Sequence, residues 1–386
     1  MIDNNLQTKK IALFTETKVG YGGGEKIIVR VHDYLNKQKL GSIIVENTNF
    51  KYKNKDSDNI ISILDKNLLD VKYKRYGFPK FLYQDIPPLN YFLNNDFSVS
   101  LILLRRVPSR KILKTMYLSN AKIIFCLHGI ALEKIRITHP LIMLHQVITR
   151  IKLKQLSHYT NNHLFIQTLL PSVSNKLLNY GADSKNIFTI GNDVPINTFN
   201  IRQNDDIFSV VFIGRIENLQ KGIDRLRKVI YKTYKLDKRI KFNIVGSGKD
   251  VKKLSNLPDN AKFYNFLSET EKVKIIEKSN IGVITSNLEP FPLVALELLS
   301  AGLPVVTTPA SGPSYIISKD VIFGNISSFK SNDIVNSIYK YFQIWTANKN
   351  EYFKLKEEIA KKYRKSFNNS MLDSYFKMIT SIINRK

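Results

Sequence analysis

The sequence predicts an α/β protein built from two doubly wound parallel domains. Three observations lead there. Short apolar runs alternate with helical patterns along most of the chain, as in strand–helix units around a parallel sheet. The alternation breaks at a polar stretch, Gly191–Asp206, and then restarts. Glycines and charged residues cluster just after the apolar runs, where open α/β sheets hold their ligands.

In the first half, Lys10–Thr15 (KIALFT) reads as a buried strand. It leads into Gly20-Tyr21-Gly22-Gly23-Gly24-Glu25 and a helical pattern of Ile27, Ile28, Val31 and Leu35. A strand, a glycine-rich turn and a helix bring backbone close to a phosphate or sugar. The same glycines also suit a plain turn, and they do not spell the G-x-G-x-x-G dinucleotide fingerprint. Ser42–Val45, Ile60–Leu64 and Val99–Leu104 are further strands, and a basic helix follows Pro108 through Tyr117. Lys122–Leu127 is a strand ending in His128-Gly129. That is a ligand-binding position in such sheets, although a structural loop histidine fits as well. Leu141–Leu156 is an amphipathic helix with Leu144, Val147, Ile148 and Ile151 on one side and Arg150, Lys152 and Lys154 on another. It either lies on a membrane surface or packs on the sheet and shows its bases to water. A strand at His163–Gln167, a helix at Pro171–Tyr180 and a strand at Ile187–Ile190 complete this half.

In the second half Phe208–Ile213 (FSVVFI) is a strand ending in Gly214-Arg215, and a helix follows Lys221-Gly222. Lys241–Val245 is a strand with Gly246-Ser247-Gly248 after it. Ala261–Tyr264, Ile281–Thr285 and Leu303–Thr307 are strands, and Ser268-Glu269-Thr270-Glu271 reads as a capping box. The stretch Ser286–Pro304 (SNLEPFPLVALELLSAGLP) holds two carboxylates, Glu289 and Glu297, around a helix start. Pro290 and Pro292 suit a helix entrance, so Glu289 falls just before the helix and Glu297 about two turns inside it. Free N–H groups at such a start attract phosphate. Arg215 can fork two phosphate oxygens and Lys221 adds a point charge. From Asn332 onward the pattern is helical, and the last helix, Ser370–Asn384, is long enough to cross back onto the first domain.

Composition narrows the function. The formal charge is +27. Between Phe97 and Ala182 there are twelve Lys/Arg and one acid, Glu133. Such a block calls for an anionic partner, or is a solvated surface of a lysine-rich chain. No helix-turn-helix, RNP or zinc-finger pattern supports nucleic acid. The lone Cys126, in an apolar run, excludes an internal disulfide framework and reads as buried packing. The scattered histidines argue against a metal site. MIDNNLQTKK has no apolar h-region, and no run is long enough to span a membrane. The expected location is the cytoplasm.

Together, the strand–GR–x5–KG segment, VGSG and SNLEPFPLVALELLSAGLPVV resemble retaining GT-B glycosyltransferases with an E-x7-E motif, the glycosyl transferases group 1 type. GYGGGEK is similar to that family's G-G-x-E loop. The resemblance covers most of the chain and is strongest over 208–317. Gly191-Asn192-Asp193-Val194 departs from the family's N-G-V-D, and the glycine after the second motif's strand appears as Ser311-Gly312-Pro313. The resemblance implies two Rossmann-like domains facing across a cleft: an acceptor domain over 1–195, a donor domain over 205–365 and a returning helix over 366–386. It implies transfer of a sugar, without a metal or other cofactor, from a nucleotide-diphosphate sugar such as a UDP-sugar. The acceptor would be a glycan or a polyprenyl-diphosphate-linked saccharide in bacterial surface polysaccharide synthesis, capsule or lipopolysaccharide. A nucleotide-sugar epimerase or a phosphorylase on the same architecture is the alternative, and a nucleic-acid-binding protein a remote one.

Carried onto these residues, Arg215 and Lys221 bind the diphosphate, with Gly214, Gly246 and Gly248 beside them. Glu297 holds the ribose hydroxyls, and Glu289 contacts the sugar near its reacting carbon. The backbone of Phe291, Pro292, Leu293 and Val294 touches sugar and phosphates. Gly22 and Gly23 close over the phosphate, and His128 lies near the transferred sugar. The basic 97–182 stretch is expected to meet an anionic membrane surface on the inner face of the cytoplasmic membrane.

Overall fold

A computed structural model describes residues 11–15, 23–47, 60–63, 97–104, 107–108, 110–118, 121–133, 140–161, 163–194, 199, 207–265, 267–367 and 370–385. The chain divides into two compact units, Met1–Asn192 with Ser370–Lys386, and Asp193–Asn369. Each is a parallel sheet with helices.

The first unit carries strands β1 (Ile11–Thr15), β2 (Ser42–Asn47), β3 (Ile60–Ile63), β4 (Val99–Leu104), β5 (Ile123–Leu127), β6 (Leu164–Thr168) and β7 (Ile187–Thr189). Their order across the sheet is β3-β2-β1-β4-β5-β6-β7. Chain order reverses between β1 and β4, the switch point of a doubly wound sheet. β5 (IIFCL) and β6 (LFIQT) are buried along their whole length, as strands covered on both faces must be. Cys126 is buried within β5, and burial pushes its thiol pKa up, out of the reactive range.

The helices of this unit are α1 (Gly23–Lys37), α2 (Arg110–Tyr117), α3 (Pro140–Ser157) and α4 (Pro171–Asn179). The buried side of α3 is Ile142, Gln146, Thr149, Leu153 and Leu156. Leu144, Val147 and Ile151 are exposed instead. Of the two placements left open for the apolar side, the outward one is found, because both polar groups of Gln146 in the buried row have partners. Gln146 Nε2 donates to the Ala131 carbonyl at 3.0 Å, and its Oε1 accepts from the Glu133 amide at 2.9 Å.

The second unit carries β8 (Phe208–Ile213), β9 (Ile240–Val245), β10 (Ala261–Tyr264), β11 (Ile281–Ile284), β12 (Val305–Thr307) and β13 (Gly324–Ile326). Their order is β10-β9-β8-β11-β12-β13, with the switch point between β8 and β11. β13 was not expected: three residues, none of them fully buried, give no apolar run to detect. The helices are α5 (Asn218–Lys221), α6 (Ile223–Leu236), α7 (Glu269–Glu277), α8 (Leu293–Ser300), α9 (Ser311–Ile317), α10 (Ser331–Ala347) and α11 (Lys349–Phe367). Phe208 anchors an aromatic core with Phe342, Trp345 and Tyr352, at ring-centroid distances of 5.4, 5.6 and 6.1 Å.

The last helix, α12 (Ser370–Ile383), packs against α1 and β4 of the first unit. Met371, Tyr375, Met378, Ile379 and Ile382 are buried. Lys122 Nζ donates to the carbonyls of Ile382 and Ile383 at 3.0 and 3.2 Å, a cation placed at a helix C-terminus. Arg385 beyond it donates to Asn186 Oδ1 at 2.8 Å.

Candidate functional site

The sequence-predicted residues of the second unit gather at its switch point. The loop after β8 supplies Arg215, Gln220 and Lys221, and the loop after β11 supplies Ser286, Asn287 and Glu289. Backbone bonds lace the two loops together. The amides of Asn287 and Leu288 donate to the Gln220 carbonyl at 2.7 and 3.3 Å. Thr285 Oγ1 donates to the Lys221 carbonyl at 2.8 Å. Arg225, on α6, donates to the Thr285 carbonyl at 2.6 Å and to Asn287 Oδ1 at 2.9 Å.

This lacing brings the Lys221 ammonium onto Glu289 Oε2 in a charge-assisted hydrogen bond. Ser286 Oγ donates to the same oxygen at 3.2 Å. Glu289 is only 6% exposed, a depth at which an ionised carboxylate needs such partners. Sequence reasoning placed both residues in the site but did not pair them, since they lie 68 positions apart. Gly312 fixes the other side of Glu289: its amide donates to the Glu289 carbonyl at 2.9 Å. A Cβ at Gly312 would stand 2.5 Å from that oxygen. Only a glycine allows this approach, and the site therefore needs a glycine in the SGP segment.

Arg215 is an exposed cation. Its Nη2 donates to Gln220 Oε1, and its Nη1 lies 3.5 Å from Glu217. Gly214 and Gly246 line up where β8 and β9 end. Gly246 has φ +149°, and its missing side chain leaves room for the Gly214 carbonyl. Gly248 lies against the backbone of Ile216 in the same way. In this structure the two glycines shape the loop that carries Arg215.

Helix α8 begins at Leu293, with Pro292 as its N-cap. The amides of Leu293 and Val294 thus belong to its first turn, whose N–H groups have no intrahelical acceptor. Phe291 is buried beside Tyr315, at a ring-centroid distance of 6.4 Å. Because the helix starts at Leu293, Glu297 is its fifth residue, closer to the helix entrance than the two turns expected. It is the one charged residue in LVALELLS. Its carboxylate accepts from Lys272 Nζ at 3.1 Å, and Lys272 also meets Glu269 at 2.7 Å. Burial pulls the Lys272 pKa down, but the two carboxylates outweigh it and hold the ammonium above the usual lysine range. Sequence reasoning missed Lys272. The signal was present in the capping box. Ser268 Oγ accepts from the Glu271 amide, and Glu271 Oε2 accepts from the Ser268 amide at 2.8 Å. That cap starts α7 at Glu269 and sets Lys272 one turn later.

In the first unit, His128 sits in the turn after β5. Its Nε2 lies 3.1 Å from Gln167 Oε1 and 3.0 Å from the Tyr375 hydroxyl. Gln167 is itself held, donating to the Ile190 carbonyl at 2.6 Å. The imidazole is therefore oriented from β6 and α12. Gly23 is the first residue of α1. Gly22 and the rest of the turn before it lie outside the described residues. Among the described residues, no three His, Cys, Asp or Glu side chains are grouped to hold a metal ion. No helix among them is long and apolar enough to cross a membrane.

Two parallel doubly wound sheets, with a charged constellation at the second switch point and a helix returning to the first unit, define a GT-B-like protein. Residues 194–364 match the family model Glycosyl transferases group 1. That match covers the second unit and less than half of the whole chain. An uncharacterized glycosyltransferase of Methanocaldococcus jannaschii is 32% identical over 123 residues, 30% of this chain and 31% of the relative. The lipopolysaccharide 1,6-galactosyltransferase of Escherichia coli K12 is 25% identical over 170 residues, 41% of this chain and 46% of the relative. These matches thus span less than half of the curated relatives. The structure of Anabaena HepE in complex with UDP and glucose superposes with a TM-score of 0.66 at 14% identity. It covers 97% of this chain and 99% of that one. At that identity the likeness concerns the fold.

Proposed function

We propose that this protein transfers a sugar from a nucleotide-diphosphate sugar, a UDP-sugar, to a hydroxyl of a glycan or lipid-linked saccharide, with retention of anomeric configuration. The observation that carries the reading is the Lys221–Glu289 pair at the switch point of the family-matched unit. Lys221 and Arg215 are the cations for the donor diphosphate, and they stabilise the charge that develops as it leaves. Glu289, buried and held by Ser286 and Gly312, faces the sugar near its reacting carbon. Glu297 takes the ribose hydroxyls. The acceptor attacks from the face the diphosphate vacates, and the leaving phosphate takes its proton. The protein supplies position and electrostatics. The HepE structure with UDP and glucose supports a UDP-sugar, and the Escherichia coli relative supports a surface-polysaccharide acceptor. The first unit takes the acceptor, with His128 beside the transferred sugar. The basic 97–182 segment brings the enzyme to the anionic inner face of the cytoplasmic membrane.

A thermal-shift panel of nucleotides and nucleotide sugars tests the reading. UDP or a UDP-sugar raises Tm in proportion to ln(1 + [L]/Kd), while the other nucleotides shift it less. No shift with any nucleotide overturns the assignment. Product analysis excludes an epimerase when the donor sugar returns unchanged without acceptor.

Lys272 has a positioning role in this scheme, because it orients the carboxylate that receives the ribose. Lys272→Ala raises the donor KM by ~10-fold with a smaller change in kcat, in keeping with the loss of one charge-assisted contact. Lys272→Arg recovers part of it. An unchanged KM in Lys272→Ala separates Glu297 from donor binding.

A further inference from the structure

Helix α3 is amphipathic in the opposite sense to a helix that packs its apolar stripe inward. Its buried row runs along Ile142, Gln146, Thr149, Leu153 and Leu156. The opposite side shows Leu141, Leu144, Val147 and Ile151, which are 58%, 46%, 39% and 53% exposed. At 100° per residue these four fall on one stripe, with Ile148 inside it. Lys154 borders one edge of the stripe and Lys152 the other. Scattered exposed leucines are ordinary, but a continuous row with basic margins is a surface feature that asks for a partner.

The surroundings decide which partner. α2 packs against α3 and exposes Arg110 and Lys114. The same helix ends in the exposed Tyr117, followed by Leu118, which is 71% exposed. Tyr117 meets Tyr159 just past α3, ring edge to face at 5.8 Å. The single acid of segment 97–182, Glu133, is buried, so the exposed charge here is of one sign. A second copy of the chain docking on the same face by two-fold symmetry would set bases against bases. An anionic lipid surface complements both parts: its headgroups meet the lysines and arginines, and its acyl boundary takes the leucine–isoleucine row. This is the pattern of a helix lying in a membrane interface.

We infer that α3 is the membrane-insertion element of this protein, with Leu141, Leu144, Val147 and Ile151 entering the headgroup–acyl boundary of an anionic bilayer and Lys114, Lys152 and Lys154 held at its headgroups. The inference rests on the reading that segment 97–182 meets an anionic membrane, and it names the surface that does so. It also accounts for an apolar row that stays exposed.

Flotation of the full chain with phosphatidylcholine vesicles, with and without phosphatidylglycerol, tests it. The wild type floats with the anionic vesicles, and added salt weakens the binding. Leu144→Glu/Ile151→Glu lowers the bound fraction at least ~10-fold, because apolar burial is replaced by charge in the interface. Lys154→Ala lowers it by ~fivefold, the value of one basic residue near an anionic surface. Both variants keep the wild-type melting curve and UDP-induced thermal shift, since the altered side chains are exposed and lie outside the second unit. If the wild type floats and the Leu144/Ile151 variant floats equally well, α3 is not the insertion element although the membrane reading stands. If the wild type does not float, both fall. If gel filtration shows a wild-type dimer that the Leu144/Ile151 variant dissociates, without flotation, the row is a self-association surface and the inference is overturned.

Discussion

Lys221→Ala lowers kcat for sugar transfer by on the order of 10²-fold or more, the loss typical of a donor aimed at developing charge. Lys221 ends the short helix α5, and its backbone carbonyl accepts from Thr285 Oγ1 at 2.8 Å. Its stem is mostly shielded, its side chain being 17% exposed. A cation held this way reaches the transition state with little reorganisation. The ammonium neutralises Glu289. In the proposed reaction Lys221 shares its charge between the carboxylate and the donor diphosphate, so the two side chains are expected to act as a unit. Glu289→Gln keeps the shape and the Ser286 contact but removes the charge. The Lys221→Ala/Glu289→Gln double variant therefore falls little further than the worse single variant. Initial rates with a UDP-sugar and acceptor, beside donor hydrolysis without acceptor, measure this. Near-wild-type rates in both Lys221→Ala and Arg215→Ala would remove these cations from catalysis.

Gly222→Ala disables the same site through the backbone. Gly222 is the left-handed link between α5 and α6, with φ +67° and ψ +45°. An L residue pays ~1–2 kcal/mol for that conformation. Its Cβ would run into the Thr285 carbonyl and stand 2.6 Å from Arg225 Nη1. That carbonyl is the acceptor through which Arg225 ties the two loops. Relief of the clash must move Thr285 or α6, and either shift carries Lys221 away from Glu289. At ~2–4 °C per kcal/mol for a unit of this size, Tm falls by ~5 °C or more. The UDP-induced shift is lost with it. Gly41→Ala is the control: nothing lies near the Cβ it would add, and Tm stays within ~1 °C. A Gly222→Ala protein that melts and binds UDP like the wild type shows that the two loops tolerate separation.

Much of the fold was legible because buried parallel strands are nearly continuous apolar runs. FSVVFI and IIFCL need no context to be read. β13 was hidden because it is three residues long and only partly buried. Helix α3 shows the opposite failure. Periodicity revealed an apolar side and a basic side, and both ways of placing that apolar side remained open. Burial of Gln146 and Thr149, with Gln146 bonded to the Ala131 and Glu133 backbone, turned the apolar row outward. A hydrophobic pattern reports which side chains dislike water, and it cannot report that polar groups elsewhere on the helix have partners inside.

The candidate site divides along the same line. Residue types and local spacing alone determined that Glu289 precedes a helix, that Glu297 lies within it, and that Arg215 and Lys221 follow a strand. Those facts rest on prolines, glycines and apolar runs, which act within a few residues. The tertiary structure decided the pairings: Lys221 with Glu289, Lys272 with Glu297, and Gly312 against the Glu289 carbonyl. Each joins segments separated by 23 to 68 positions. For the two pairings made by Glu289, what brings the partners together is the strand order β8-β11-β12, which places loops distant in sequence side by side at the carboxyl ends of one sheet.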